Sequence, residues 1–192
     1  MKNKFKVVLL VMSLLVIGCA GKSKYMVKGQ PLPEPSPGKA LVYFMRPSST
    51  GAGFDFQMWE GYKLIGISVT KSYFVYECDP GKHLFIGRAQ NKRVVEADLD
   101  AGKSYYIIVK WGVGFYKARM GFIPVSRGSA YWDQVEKYKE KTNFLVPNEE
   151  EIAKWRVGRE AEIKKEIDDI TNYVKTPEGE QYIVYLRKED GR

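Results

Sequence analysis

Ala40-Leu41-Val42-Tyr43-Phe44-Met45-Arg46 opens a succession of short apolar and aromatic runs whose spacing decides the fold. Comparable runs follow near 54–60, 62–68, 72–78, 82–89, 93–99 and 103–111. Each is short for a helix and rich in residues that pack well on a pleated surface. The aromatic share of 14%, with 13 Tyr, biases the chain the same way. Turn chemistry separates the runs. Glu60-Gly61 reads as a tight hairpin turn. Asp79-Pro80-Gly81 puts Pro and Gly where a type II turn needs a fixed and then a positive φ. Asn91 and Asp100-Ala101-Gly102 supply later turns. About seven strands at this spacing predict a mainly β fold, an antiparallel two-sheet sandwich over residues 39–128.

Downstream the period changes. Trp111-Gly112-Val113-Gly114-Phe115 reads as a flexible aromatic loop, followed by a strand near 117–125. Residues 129–192 then form a helical C-terminal extension. Ser129 is placed to N-cap a helix over 130–141, with Asp133 favourable in its first turn. Asn148 followed by Glu151 reads as a capping box opening a long helix to about Tyr173, which Gly158 weakens by ~1 kcal/mol. Its narrow apolar stripe is Ile152, Trp155, Ile163, Ile167, Ile170 and Val174. Such a stripe fits one seam, against a partner or against the sandwich itself. Arg159 interrupts it and weakens a coiled-coil reading. Ile152, Trp155, Ile163, Ile167 and Ile170 are therefore the candidate partner-binding residues. Thr176-Pro177-Glu178 starts another short helix, and residues 182–186 read as helix or strand.

Upstream, Lys2, Lys4 and Lys6 precede an apolar run over residues 7–17. As a helix that run reaches roughly 16 Å, about half of a ~30 Å hydrocarbon core, so it suits an export signal better than a permanent span. Val16-Ile17-Gly18-Cys19 closes it and resembles the lipobox of bacterial lipoproteins. The resemblance implies that residues 1–18 are a signal peptide, that cleavage falls between Gly18 and Cys19, and that Cys19 is lipidated. The chemistry suits a cysteine, whose thiolate is a strong nucleophile. A diacylglyceryl group plus an amide-linked chain would hold far more firmly than one myristoyl at ~0.8 kcal/mol per buried methylene. In enteric lipoproteins an Asp after the cysteine retains the protein in the inner membrane. Ala20 stands there, which by resemblance favours the outer membrane, facing the periplasm. Residues 19–38 then read as a tether. Pro31, Pro33, Pro35 and Pro37 alternate, predicting an extended spacer with a reach of roughly 60 Å at ~3.1 Å per residue.

The strand region carries a second resemblance. Ala40-Leu41-Val42-Tyr43 with Arg46-Pro47, Glu60-Gly61-Tyr62-Lys63-Leu64-Ile65-Gly66, Ser72-Tyr73-Phe74, Pro80-Gly81-Lys82-His83 and Ala101-Gly102-Lys103-Ser104-Tyr105-Tyr106 look like an uncharacterised domain of bacterial lipoproteins, and more loosely like PEGA-type surface sandwiches. The resemblance covers roughly residues 39–111. It implies a small β-sandwich on a lipid anchor and brings no catalytic residue with it.

Charge is uneven along the chain. Residues 39–128 carry 13 basic and 7 acidic side chains, and residues 129–192 carry 12 and 15. A basic sandwich can lean on an anionic envelope polymer, such as cell wall or lipopolysaccharide. Alternatively, the acidic C-terminal part folds back and neutralises it. Nucleic acid is not an expected partner of an exported protein.

Reactive constellations are few. Ala101-Gly102-Lys103-Ser104 ends like a phosphate-binding loop, yet Ala97 stands where that motif needs Gly, and a strand follows where it needs a helix. His83 is the single histidine, so neither a His-paired metal site nor a second-histidine catalytic pair can form. Cys78, with Cys19 acylated, has no disulfide partner and reads as a buried small hydrophobe. Cys78 with His83 across the turn is the one enzymatic arrangement worth testing. Glu96, Asp98 and Asp100 alternate and suit acid–base work, calcium or a solvated strand edge. No cofactor, metal or catalytic residue is expected. The sequence predicts a non-enzymatic, lipid-anchored envelope protein, membrane-bound through its N-terminal lipid, that binds an envelope protein partner or, alternatively, an anionic polymer. A cell-wall enzyme or inhibitor is the weaker reading.

Overall fold

Alternation along each strand explains the architecture. In the computed structural model, which describes residues 23–31, 34–89, 91–113 and 118–192, eleven strands form two sheets. They are β1 (Met26–Lys28), β2 (Ala40–Arg46), β3 (Phe56–Glu60), β4 (Lys63–Ser68), β5 (Ser72–Cys78), β6 (Gly81–Arg88), β7 (Lys92–Leu99), β8 (Ser104–Val113), β9 (Ala118–Pro124), β10 (Asn143–Pro147) and β11 (Ile183–Leu186). One sheet has the order β1-β10-β5-β2-β8-β9 and the other β11-β7-β6-β3-β4. The helices are α1 (Val135–Lys141), α2 (Glu149–Arg156), α3 (Glu160–Tyr173) and α4 (Pro177–Glu180).

The fold is mainly β and sandwich-like, as the spacing predicts, with two refinements. The sheets are mixed: β2–β8, β5–β10 and β7–β11 run parallel. The strands beyond the expected seven include one within residues 19–38 and two within residues 129–192. Asp79-Pro80 and Asp100-Ala101-Gly102-Lys103 connect strands of different sheets, whereas Gly61-Tyr62 closes the expected β3–β4 hairpin.

Strand β2 lies at the centre of its sheet, and all seven of its residues are buried. Its two faces enter different cores. Val42 and Phe44 join the large cluster with Phe74, Phe85, Tyr105 and Ile107. Leu41, Tyr43 and Met45 join a smaller cluster with Tyr73, Tyr106, Ile108 and Val135 from α1. Burial on both faces explains why residues 40–46 read as an almost unbroken apolar run. Between the sheets, two glycines admit aromatic rings. A Cβ on Gly66 would meet Phe74 at 2.6 Å, and one on Gly87 would meet Met120 and Phe122 at 2.2 and 2.4 Å.

Four local expectations change. The long helix is two helices, because Gly158 takes a positive φ of 73° between α2 and α3. An L-residue pays a steric penalty there, so glycine ends one helix cheaply and lets the chain turn. Asn148 does cap α2, accepting from the Glu151 amide, whereas the Glu151 carboxylate turns to Lys154 and Lys24. The helix near 130–141 begins as a 3-10 turn with no side-chain cap from Ser129. Thr176 caps the short α4, and β11 follows it, so helix and strand both occur at the C-terminus. Strand β8 runs through Trp111 to Val113; residues 114–117 lie outside the described residues.

Candidate functional site

The one histidine sits where the two sheets meet, beside the Asp79-Pro80 crossover. Glu60 ends β3, Tyr76 and Cys78 end β5, and His83 lies early in β6. The Tyr76 hydroxyl donates to Glu60 Oε2 at 2.5 Å. His83 Nδ1 bonds Glu60 Oε1, and Nε2 bonds the Asp79 carbonyl oxygen at 2.8 Å. Both ring nitrogens face oxygens that only accept, which assigns a proton to each and makes His83 an imidazolium. The hydrogen bond to Glu60 raises the His83 pKa above its ordinary value, and the same bond lowers that of Glu60. The ring also stacks on Phe85, with centroids 5.7 Å apart and the two planes nearly parallel.

This geometry answers the Cys78–His83 question. Burial, followed by the Glu60 and Asp79 charges, pushes the Cys78 thiol up to about 12, so it is protonated at neutral pH. The imidazolium offers no free lone pair to remove that proton. The group is a structural ion pair with its hydrogen bonds satisfied on each side.

The other sequence candidates are likewise engaged. Lys103 bonds Asp100 at 2.9 Å and the Lys188 carbonyl at 3.1 Å, and β8 follows at once, so the loop has no cradling helix. Asp98 and Asp100 both lie within 3.7 Å of Lys188. Among the described residues, no group of three or more His, Cys, Asp or Glu is placed to hold a metal ion. No described helix is long and apolar enough to cross a membrane.

The candidate partner stripe requires correction. Ile152, Ile163, Ile167 and Ile170 are each at most 4% exposed and belong to the same core as the sheets. Trp155 packs against that core, 6.1 Å from Trp59. The stripe covers the outward face of the second sheet: Ile170 faces Val94, and Ile163 lies beside Gln57 and Arg88. Arg88 pairs with Glu166 across this layer. A sheet face bearing Trp59 and Val94 loses water only when something apolar lies on it, and the nearest apolar stripe belongs to the chain itself.

Sequence reasoning missed the corner where residues 24–28 meet the helices. Strand β1 pairs antiparallel with β10, and Met26 is buried. The Asn148 amide donates to the Tyr25 carbonyl at 2.8 Å, and its side chain donates to the Lys24 carbonyl at 3.2 Å. Tyr25 meets Trp155 edge-on at 6.4 Å. Lys24 lies over the Tyr25 ring and near Glu151. Arg159 lies over Trp155, and Arg156 donates to the Tyr62 carbonyl at 2.9 Å. Val157, at the break between α2 and α3, is 76% exposed. The available signal was Tyr25-Met26-Val27, an apolar run too rich for a solvated spacer. Cys19 and Gly18 lie outside the described residues.

No protein-family model matches this chain, and no curated protein or solved structure matches it.

Proposed function

We propose that the chain is a lipid-anchored bacterial cell-envelope protein, held through Cys19 in the outer membrane facing the periplasm, and that it works as a non-enzymatic binding or assembly subunit. The observation that carries this reading is the order at the N-terminus. A basic start, an eleven-residue apolar run and Gly18-Cys19 stand directly ahead of a strand that belongs to the folded body. The pairing of His83 with Glu60 and Asp79 supports a structural use for the single histidine.

Cys19→Ala is the direct test. It should abolish incorporation of labelled fatty acid and move the protein to the soluble fraction. Continued membrane attachment would place the anchor elsewhere. A second reading, binding of an anionic polymer by the basic sandwich, is favoured by the excess of 13 basic over 7 acidic residues in 39–128. It predicts sedimentation with isolated cell wall that disappears as salt is raised.

A further inference from the structure

We infer that the corner formed by Lys24, Tyr25, Trp155, Arg156, Val157 and Arg159 rests on the headgroup layer of the bilayer that holds the lipid anchor. This rests on acylation of Cys19 as proposed above, and it adds which face of the protein meets the membrane.

The first argument is reach. A fully extended chain covers ~3.3–3.6 Å per residue, so the four steps from Cys19 to Ser23 span roughly 14 Å at most. Beyond Ser23 there is no slack. The Met26 amide bonds the Ser23 carbonyl, Met26 is buried, and β1 is paired along its length with β10. A folded chain of this size has a radius of gyration of about 16 Å. A lead this short keeps the Ser23 end of the body, and the corner beside it, within roughly 14 Å of the surface. The ~60 Å spacer expected from composition shrinks to this short lead, because its prolines lie after β1, where they join β1 to β2.

The second argument is chemical. Val157 is the most exposed of the large apolar residues that stand exposed in the described structure. It stands in the chain between Arg156, which donates to the Tyr62 carbonyl, and Arg159, which lies over the Trp155 ring that meets Tyr25. Trp and Tyr suit the boundary between headgroups and acyl chains, and arginine and lysine reach from there to phosphate. Glu151 faces Lys24 and Lys154, and Glu150 faces Lys154, whereas Asp55 and Glu162 line a cleft with Arg159 without an ion pair to it. Arg156 bonds a carbonyl and Arg159 covers an indole, so among the described residues neither guanidinium is matched by a carboxylate. Anionic phospholipid supplies the missing charge.

The test uses the mature full-length chain, its intact mass measured first, in vesicles of phosphatidylethanolamine with a quarter phosphatidylglycerol. In a Cys78→Ser background, an environment-sensitive fluorophore is attached at Val157→Cys or, on the opposite cover, at Glu140→Cys. Headgroup nitroxide lipids should quench the label at 157 severalfold more than the label at 140. Equal quenching on an acylated protein would overturn the membrane face and leave the anchor standing. Quenching that changes with protein-to-lipid ratio would assign the corner to a second copy and overturn the inference. A mass without added acyl chains would remove both the anchor and the contact.

Discussion

The two sheets are covered on their outer faces in opposite ways. Over the six-stranded sheet lies α1, seven residues long, which buries a single residue, Val135. The rest of that cover is cationic and aromatic: Lys139 Nζ stands 4.7 Å from the Tyr43 ring centre and 5.1 Å from that of Tyr106, and the Arg192 guanidinium lies 4.0 Å from that of Trp132. Over the five-stranded sheet, α2 and α3 insert Ile152, Ile163, Ile167 and Ile170, followed by Val174. Aliphatic burial scales with apolar area at ~25 cal/mol per Å², whereas a cation over a ring contributes ~0.5–1 kcal/mol when exposed and ~2 when desolvated. The isoleucine cover is therefore part of the core, and the cationic cover is a lighter closure over one.

Ile167→Ala tests the heavier cover and carries the largest expected effect. It should lower unfolding free energy by about 2–5 kcal/mol in denaturant titration. A loss below about 1 kcal/mol would mean the helices pack loosely and the contrast is false. Between the covers, the Glu60–His83 pair comes next. The single histidine gives one imidazole signal by NMR, and its midpoint should lie above the ordinary ~6.5. Because the folded His83 pKa is raised, its stabilisation is complete below the ordinary value and fades as pH climbs through the folded one. Glu60 behaves oppositely, since its folded pKa is lowered: its contribution is present above the ordinary carboxylate value and fades as pH falls through the folded one. Glu60→Gln should return the His83 midpoint toward ordinary and cost about 1–3 kcal/mol. An unmoved midpoint would break the pairing. The smallest effect belongs to the lighter cover: Lys139→Ala should cost about 0.5–2 kcal/mol. A loss matching that of Ile167→Ala would erase the difference between the two layers.

Much of this was legible in residue order. The hairpin at Gly61-Tyr62, the Asn148 half of the capping box and the helix start at Thr176 depend on contacts within a few residues, and each formed as read. The inward or outward role of the α2–α3 stripe did not follow from its spacing, because the same period serves a partner or the chain's own sheet. Tyr25-Met26-Val27 was masked by the lysines and prolines around it. The Glu60–His83 pair joins residues 23 apart, and no local pattern marks them.

Sequence alone determined the strand-rich composition, the β3–β4 hairpin, the side-chain caps at Asn148 and Thr176, and the export-like N-terminal pattern, since each rests on a short window of side chains and their backbone preferences. Tertiary structure alone decided which strands run parallel, that residues 26–28 form β1, and that the isoleucine stripe closes its own sheet. Those choices minimise exposed apolar area over the whole molecule. Residues far apart in order compete for the same surface, and the competition is settled only when every layer is in place.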